Sequence, residues 1–218
     1  MKKIKILIVD DHSILQHGLC NSLEMEKNIQ RVITAESGYE AIEQVRECHP
    51  DIVIMDISMP GLNGIETTKR ILADYPDIKI IALSMHIEKI YVNGMINAGV
   101  SGYVLKSCSF KELLDCISRV LADDSYFCQE INHMVDHHDK NHGADKNISV
   151  FSLLSRREIE VLQLIAEGYR SRKIADKLNI SVKTVDIHRT HLKEKLNIHT
   201  IAQLTKFAIS EGVTPAHL

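Results

Sequence analysis

Over its first 121 residues this 218-residue chain alternates short apolar runs with longer segments of helical period. The runs are residues 4–9, 30–35, 52–55, 78–84 and 102–105, the second marked by Val32 and Ile33. A run apolar at nearly every position cannot keep one face in water. It fits a strand buried on both faces, as in a parallel sheet. Between the runs, apolar residues recur three and four apart. Ile14, Leu15, Leu19 and Leu23 predict a helix over 12–26. Ala41, Ile42 and Val45 predict another, opened by Ser37 and Glu40 as a capping box and stopped by Pro50. Ile65, Ile71 and Leu72 predict a helix over 63–74, Gly99 closes one over 87–98, and Leu113, Leu114, Ile117 and Leu121 mark one over 110–121. Such alternation implies right-handed crossovers and an α/β fold: a five-stranded parallel sheet with helices on both faces.

Ligands of such a sheet collect at the carboxyl ends of its strands. Asp10 and Asp11 close the first run, Asp56 the third, Ser84 the fourth, and Lys106 follows the fifth. Pro60, Gly61 and Gly64 then break regular structure after Asp56. Three carboxylates brought together repel unless a cation neutralises them, and hard oxygen donors with room for water suit Mg²⁺. A lysine and a hydroxyl beside an acceptor carboxylate would hold phosphoryl oxygens. A carboxylate can itself be the nucleophile, giving an acyl phosphate. Alone, each residue has an ordinary use: a strand-terminal Asp caps a helix, and a single Lys is solvated. Their order at successive strand ends favours phosphoryl transfer. A phosphatase of the haloacid dehalogenase type needs a second acid two residues after its nucleophile, where Ser58 stands.

Charge divides the chain. Residues 1–125 hold 13 basic against 18 acidic side chains, and residues 150–218 hold 11 against 7. An acidic part and a basic part suggest domains with different partners, the second polyanionic. We place the first domain at 1–125 and the second at 150–218. Residues 126–149 are polar and mostly aperiodic and read as a flexible linker; His133, His137, His138 and His142 make it a solvated His-rich tether rather than a metal site. Five cysteines without a C-x-x-C pair fit reduced thiols. The apolar run after Lys5 ends in two aspartates, too short for a signal peptide, and no stretch approaches the roughly 20 apolar residues of a membrane span. A cytoplasmic protein with no membrane partner is expected.

Residues 4 to about 122 resemble a two-component receiver domain. The resemblance rests on Val9-Asp10-Asp11, Met55-Asp56, Met59-Pro60, Gly64, Glu66, Ser84 and Gly102-Tyr103-Val104-Leu105-Lys106. It implies a flavodoxin-like (βα)5 fold and a phosphoacceptor role for Asp56. It implies Mg²⁺ held by Asp10, Asp11, Asp56 and the backbone carbonyl of Ser58. Ser84 and Lys106 would bind the phosphoryl group, and Tyr103 would be the aromatic switch.

After residue 149 the period is purely helical, with four segments: one opened by the Ser155/Glu158 box, then Ser171–Leu178, then one from Ser181 to Leu196, then one from Thr200 to Ser210. This all-α part resembles the LuxR-type helix-turn-helix. The matching residues are Leu154-Ser155-Arg156-Arg157-Glu158, Val161-Leu162, Ala166-Glu167-Gly168, Lys173-Ile174-Ala175, Leu178, Ser181-Val182-Lys183-Thr184-Val185, His188 and Lys195-Leu196. Both matches together resemble a response regulator of the NarL/FixJ type: a transcriptional regulator, not an enzyme. By that resemblance Asp186, Ile187 and Thr190 stand where base readers stand. Lys183, Thr184, His188, Arg189 and Lys193 are expected at phosphates or groove edges. Asp186 is acidic where family members often carry Lys, which is unfavourable near phosphates unless it accepts from cytosine N4. The apolar stripe Ile201, Leu204, Phe207 and Ala208 matches the helix this family uses to dimerise. Expected partners are a sensor histidine kinase, double-stranded DNA, RNA polymerase, and a second copy of the chain when phosphorylated or DNA-bound.

Overall fold

Side chains on a strand point alternately to opposite faces, and here both faces are apolar. In the computed structural model, β1 (Ile4–Val9) sends Leu7 and Val9 into one core and Ile6 and Ile8 into another. β3 (Ile52–Asp56) divides likewise, with Val53 and Met55 against Ile52 and Ile54. Helices cover both faces. α2 (Gly38–Cys48), α3 (Gly64–Asp74) and α4 (Lys89–Ala98) bring Val45, Ile71 and Met95 to the first core. α1 (Ser13–Glu24) and α5 (Phe110–Leu121) bring Leu23, Leu113, Ile117 and Val120 to the second. The structure describes residues 3–85, 87, 89–132 and 154–214.

With β2 (Ile29–Ala35), β4 (Lys79–Ser84) and β5 (Gly102–Leu105), the sheet runs β2-β1-β3-β4-β5-β6, every neighbouring pair parallel. The order reverses at β1, which opens a crevice beyond the carboxyl ends of β1 and β3. That crevice is where Asp10 and Asp56 emerge.

Three expectations need correction. The sheet has six strands, not five: β6 (Tyr126–Phe127) pairs with β5. Tyr126 N donates to Ser101 O at 3.1 Å and Cys128 N to Tyr103 O at 3.1 Å. The linker therefore does not begin at 126, because Cys128 and Ile131 are buried in the first core and residues 129–132 are helical. A two-residue strand is too short to show any period, so nothing local announced it. His133, His137, His138 and His142 lie outside the described residues. The Ser37 cap also differs in detail. Ser37 accepts from Glu40 N, but the Glu40 carboxylate accepts from Glu36 N at 2.8 Å, so the box is not closed on Ser37.

The chain divides into two compact units, Met1–Gly143 and Ala144–Leu218. The second is α6 (Arg156–Ala166), α7 (Ser171–Leu178), α8 (Val182–Leu196) and α9 (Ile201–Ser210) around one core, with Leu162, Ile174, Val185, Leu192 and Leu204 fully or almost fully buried. Complete capping boxes open α6 (Ser155/Glu158) and α9 (Thr200/Gln203). Asn179, at φ 52°, makes the left-handed turn from α7 towards α8. Lys195 Nζ on α8 donates to Glu158 Oε2 on α6 at 2.7 Å. No described helix is long and apolar enough to cross a membrane.

Candidate functional site

Asp56 is the last residue of β3, and α3 begins almost against it. A Cβ on Gly64 would lie 2.0 Å from the Asp56 backbone oxygen, so only glycine allows this approach. Gly64 N donates to Ile57 O at 2.8 Å, and Asn63 caps α3 by accepting from Glu66 N. The turn between is thus anchored at both ends, and Ser58 N donates to Asp56 Oδ1 at 3.4 Å.

Asp10, Asp11 and Asp56 converge as the strand ends suggested. With His12, their ligand atoms all lie within 4.8 Å of one another. Asp10 and Asp56 are only 1% and 3% exposed, so they cannot rely on water to screen their repulsion. Lys106 supplies the counter-charge: its Nζ stands 2.8 Å from Asp10 Oδ2 and 3.0 Å from Asp56 Oδ2. Burial pushes the Asp56 carboxyl above the usual carboxylate range and Asp10 adds to this, while Lys106 opposes it. Burial alone would lower the Lys106 ammonium, but Asp56 and Asp10 outweigh it and hold the group above its ordinary value. The ammonium is within hydrogen-bond distance of both Oδ2 atoms, and each carboxylate has further lone pairs that one ammonium does not use. Oxygen donors so placed fit a hard divalent cation.

Ser84 ends β4 fully buried, and its carbonyl accepts from Lys106 N at 2.7 Å, which ties the lysine to the neighbouring strand end. Tyr103 is fully buried in the core on the α2–α4 side of the sheet. Two residues of the site went unmarked in the sequence. His12 N donates to Asp10 Oδ1 at 2.8 Å, and its Nδ1 lies 3.0 Å from Asp10 Oδ1 and 3.1 Å from Asp11 Oδ1. Its signal was its place directly after the acid pair. Gln16 Nε2 donates to the carbonyls of Asp10 (3.1 Å) and Ala35 (2.8 Å), clamping the ends of β1 and β2. Its signal was a polar residue on the inward side of α1.

In the second unit, Ser181 caps α8 by accepting from Thr184 N. Lys183, Asp186, Ile187 and Thr190 are exposed, and with His191 they line one open depression. Thr184, His188, Arg189 and Lys193 are half-buried, and His188 buries its Nδ1 without a protein partner. Ile187 is 45% exposed on this face. On α9, Leu204 and Ala208 are spent on the unit's own core, while Ile201 is 49% exposed.

Residues 6–118 match the response regulator receiver domain, and residues 152–208 match the luxR family of bacterial regulatory proteins. The oxygen regulatory protein NreC of Staphylococcus carnosus is 36% identical over 95% of this chain and 98% of its own. RcsB from Salmonella enterica serovar Typhimurium, bound to promoter rprA with the phosphomimetic BeF3⁻, superposes with TM-score 0.58 at 26% identity, covering 94% of this chain and 98% of RcsB. A structure of two RcsB dimers on two parallel DNAs gives 0.59 at 25% identity, covering 96% and 99%. With an acid pocket and lysine at one sheet edge and a capped, exposed helix in a four-helix unit, the chain belongs to the two-component response regulators that carry a LuxR-type DNA-binding domain, a family of transcriptional regulators.

Proposed function

We propose that a sensor histidine kinase phosphorylates Asp56 and that this controls binding of α8 to double-stranded DNA. The observation that carries the proposal is the Lys106 ammonium held between two almost fully buried carboxylates, Asp10 and Asp56. The phosphoryl group leaves a kinase histidine nitrogen as its P–N bond breaks and a P–O bond forms to an Asp56 carboxylate oxygen. Asp10, Asp11, Asp56 and the Ser58 carbonyl would hold Mg²⁺, which supplies charge neutralisation for the phosphoryl oxygens. Lys106 stays to pair with the added charge. Ser84 gives its hydroxyl to a phosphoryl oxygen, and Tyr103, now buried, is the side chain whose position that movement biases.

The DNA-contact set is Lys183, Thr184, Asp186, Ile187, His188, Arg189, Thr190 and Lys193. The capped N-terminus of α8, with Lys183 and Thr184, favours phosphate, and the exposed middle of the helix favours base edges. The relative RcsB has been captured as dimers on DNA and on a promoter with a phosphomimetic. That supports a homodimer here, with RNA polymerase as a further partner at the promoter. Footprinting across a genomic library, with and without acetyl phosphate plus Mg²⁺, tests the proposal. Protected sites that strengthen with acetyl phosphate in wild type and not in Asp56→Asn support it; the same sites at equal strength in both proteins and both conditions refute the phosphorylation control.

A further inference from the structure

An acid on a DNA-facing helix is costly beside phosphates, yet Asp186 stands on the exposed face of α8 with Lys183, Ile187 and Thr190. Its Oδ1 accepts from Ser171 Oγ at 2.9 Å, and the same hydroxyl oxygen accepts from Arg189 Nη1 at 2.7 Å. A hydroxyl has one proton to give, a carboxylate can only accept and a guanidinium can only donate. The donors therefore run one way, from Arg189 to Ser171 to Asp186. Ser171 is the first residue of α7, so a side chain from outside the recognition helix fixes the rotamers of two residues on it. Asp186 and Arg189, three apart, are neighbours on the helix surface, and the shared hydroxyl brings positive charge to bear on the carboxylate.

In the major groove an acceptor of this kind is matched by the amino group of cytosine, N4. Adenine also offers an amino group, but its neighbouring N7 is an acceptor that repels a carboxylate. We propose that Asp186 selects a cytosine in each half-site through N4, with Ser171 as the positioning residue and Arg189 offsetting the repulsion between the carboxylate and the phosphates. This rests on α8 being the DNA-reading helix.

The test is selection from randomised duplexes by the full chain, with acetyl phosphate and Mg²⁺. Wild type is expected to enrich a C·G pair at one fixed position per half-site. Replacing that cytosine by 2-pyrimidinone, which lacks the amino group, should cost roughly tenfold or more in affinity. Asp186→Ala should lose the preference at that position alone, and Asp186→Asn should move it towards adenine, whose N6 and N7 match a carboxamide. Ser171→Ala should weaken the same preference and Ser171→Thr, which keeps the hydroxyl, should restore it. An unchanged site selected by Asp186→Ala overturns the cytosine assignment and leaves DNA reading by α8 intact. Enrichment of no sequence by wild type, in either phosphorylation condition, overturns both.

Discussion

Lys106 Nζ lies 3.0 Å from Asp56 Oδ2 with both side chains withdrawn from solvent, 7% and 3% exposed. The same ammonium holds Asp10 at 2.8 Å. Removing it leaves two carboxylates facing each other without water. Lys106→Met should therefore lose roughly 3 kcal/mol of stability, the cost of breaking a buried pair from one side. Asp56→Asn should hold wild-type stability or exceed it, because it removes a carboxylate whose charged form burial disfavours. Both should fail to take up phosphate from acetyl phosphate. Urea melts and a phosphate-retardation gel check this; equal destabilisation in the two variants would refute the charge balance described.

The convergence of Asp10, Asp11 and Asp56 should make Mg²⁺ a stabilising ligand. At free Mg²⁺ about 100-fold above its Kd, the gain is about 2.7 kcal/mol if the unfolded chain does not bind. Thermal denaturation with and without Mg²⁺ should show the rise in wild type and little in Asp11→Asn. A Tm in wild type that ignores Mg²⁺ would count against a cation at this position.

Two glycines in the turn after Asp56 should respond differently to alanine. At Gly64 the new Cβ meets the Asp56 backbone oxygen at 2.0 Å, and a strand end cannot move aside cheaply. Overpacking against backbone should cost about 3 kcal/mol. Gly61 has φ +83° and open space around it, so alanine there costs only left-handed backbone strain, about 1 kcal/mol. Urea midpoints of the two variants should fall in that order, and the reverse order would contradict the packing.

Glu158 links pH to the second unit. Burial raises its pKa, but hydrogen bonds from Lys195 and Ser155 outweigh this and leave it below the usual 4.5. A group depressed on folding stabilises above its unfolded pKa and loses that contribution as pH falls through its folded value. Lys195→Met should thus be less stable than wild type by about 1 kcal/mol near neutral pH, a figure kept low because Lys195 is 42% exposed. The gap should narrow below about pH 4.5, as Glu158 protonates in both proteins. Chemical denaturation of both full-length proteins at pH 7 and pH 4 measures it, and a gap that widens at pH 4 would reverse the sign assigned.

Much of the site was readable because its residues sit at the ends of strongly patterned runs. Asp10, Asp56 and Lys106 follow apolar strands, and topology then obliges parallel strand ends to share an edge. His12 and Gln16 escaped because each lies where a helix start was expected, and their partners, the Asp10 carboxylate and the Ala35 carbonyl, are set by folding. β6 escaped because two residues carry no period. The partner of Asp186 escaped as well: Ser171, 15 residues earlier on another helix, donates to its carboxylate, and no local pattern announces that contact.

By itself the sequence determined the alternating α/β unit, the helical unit after it, the Ser155/Glu158 box that opens α6, and the acids and lysine placed at the strand ends. These are local properties, set by period, capping and turn residues within a few positions of one another. Only the tertiary structure decided that one ammonium bridges Asp10 and Asp56, that Gly64 seats α3 against Asp56, that Tyr103 lies buried, and that Ser171 joins Asp186 to Arg189. Those contacts depend on strand order, register and helix packing, which bring together residues far apart in the chain, and no short-range pattern encodes the distance between them.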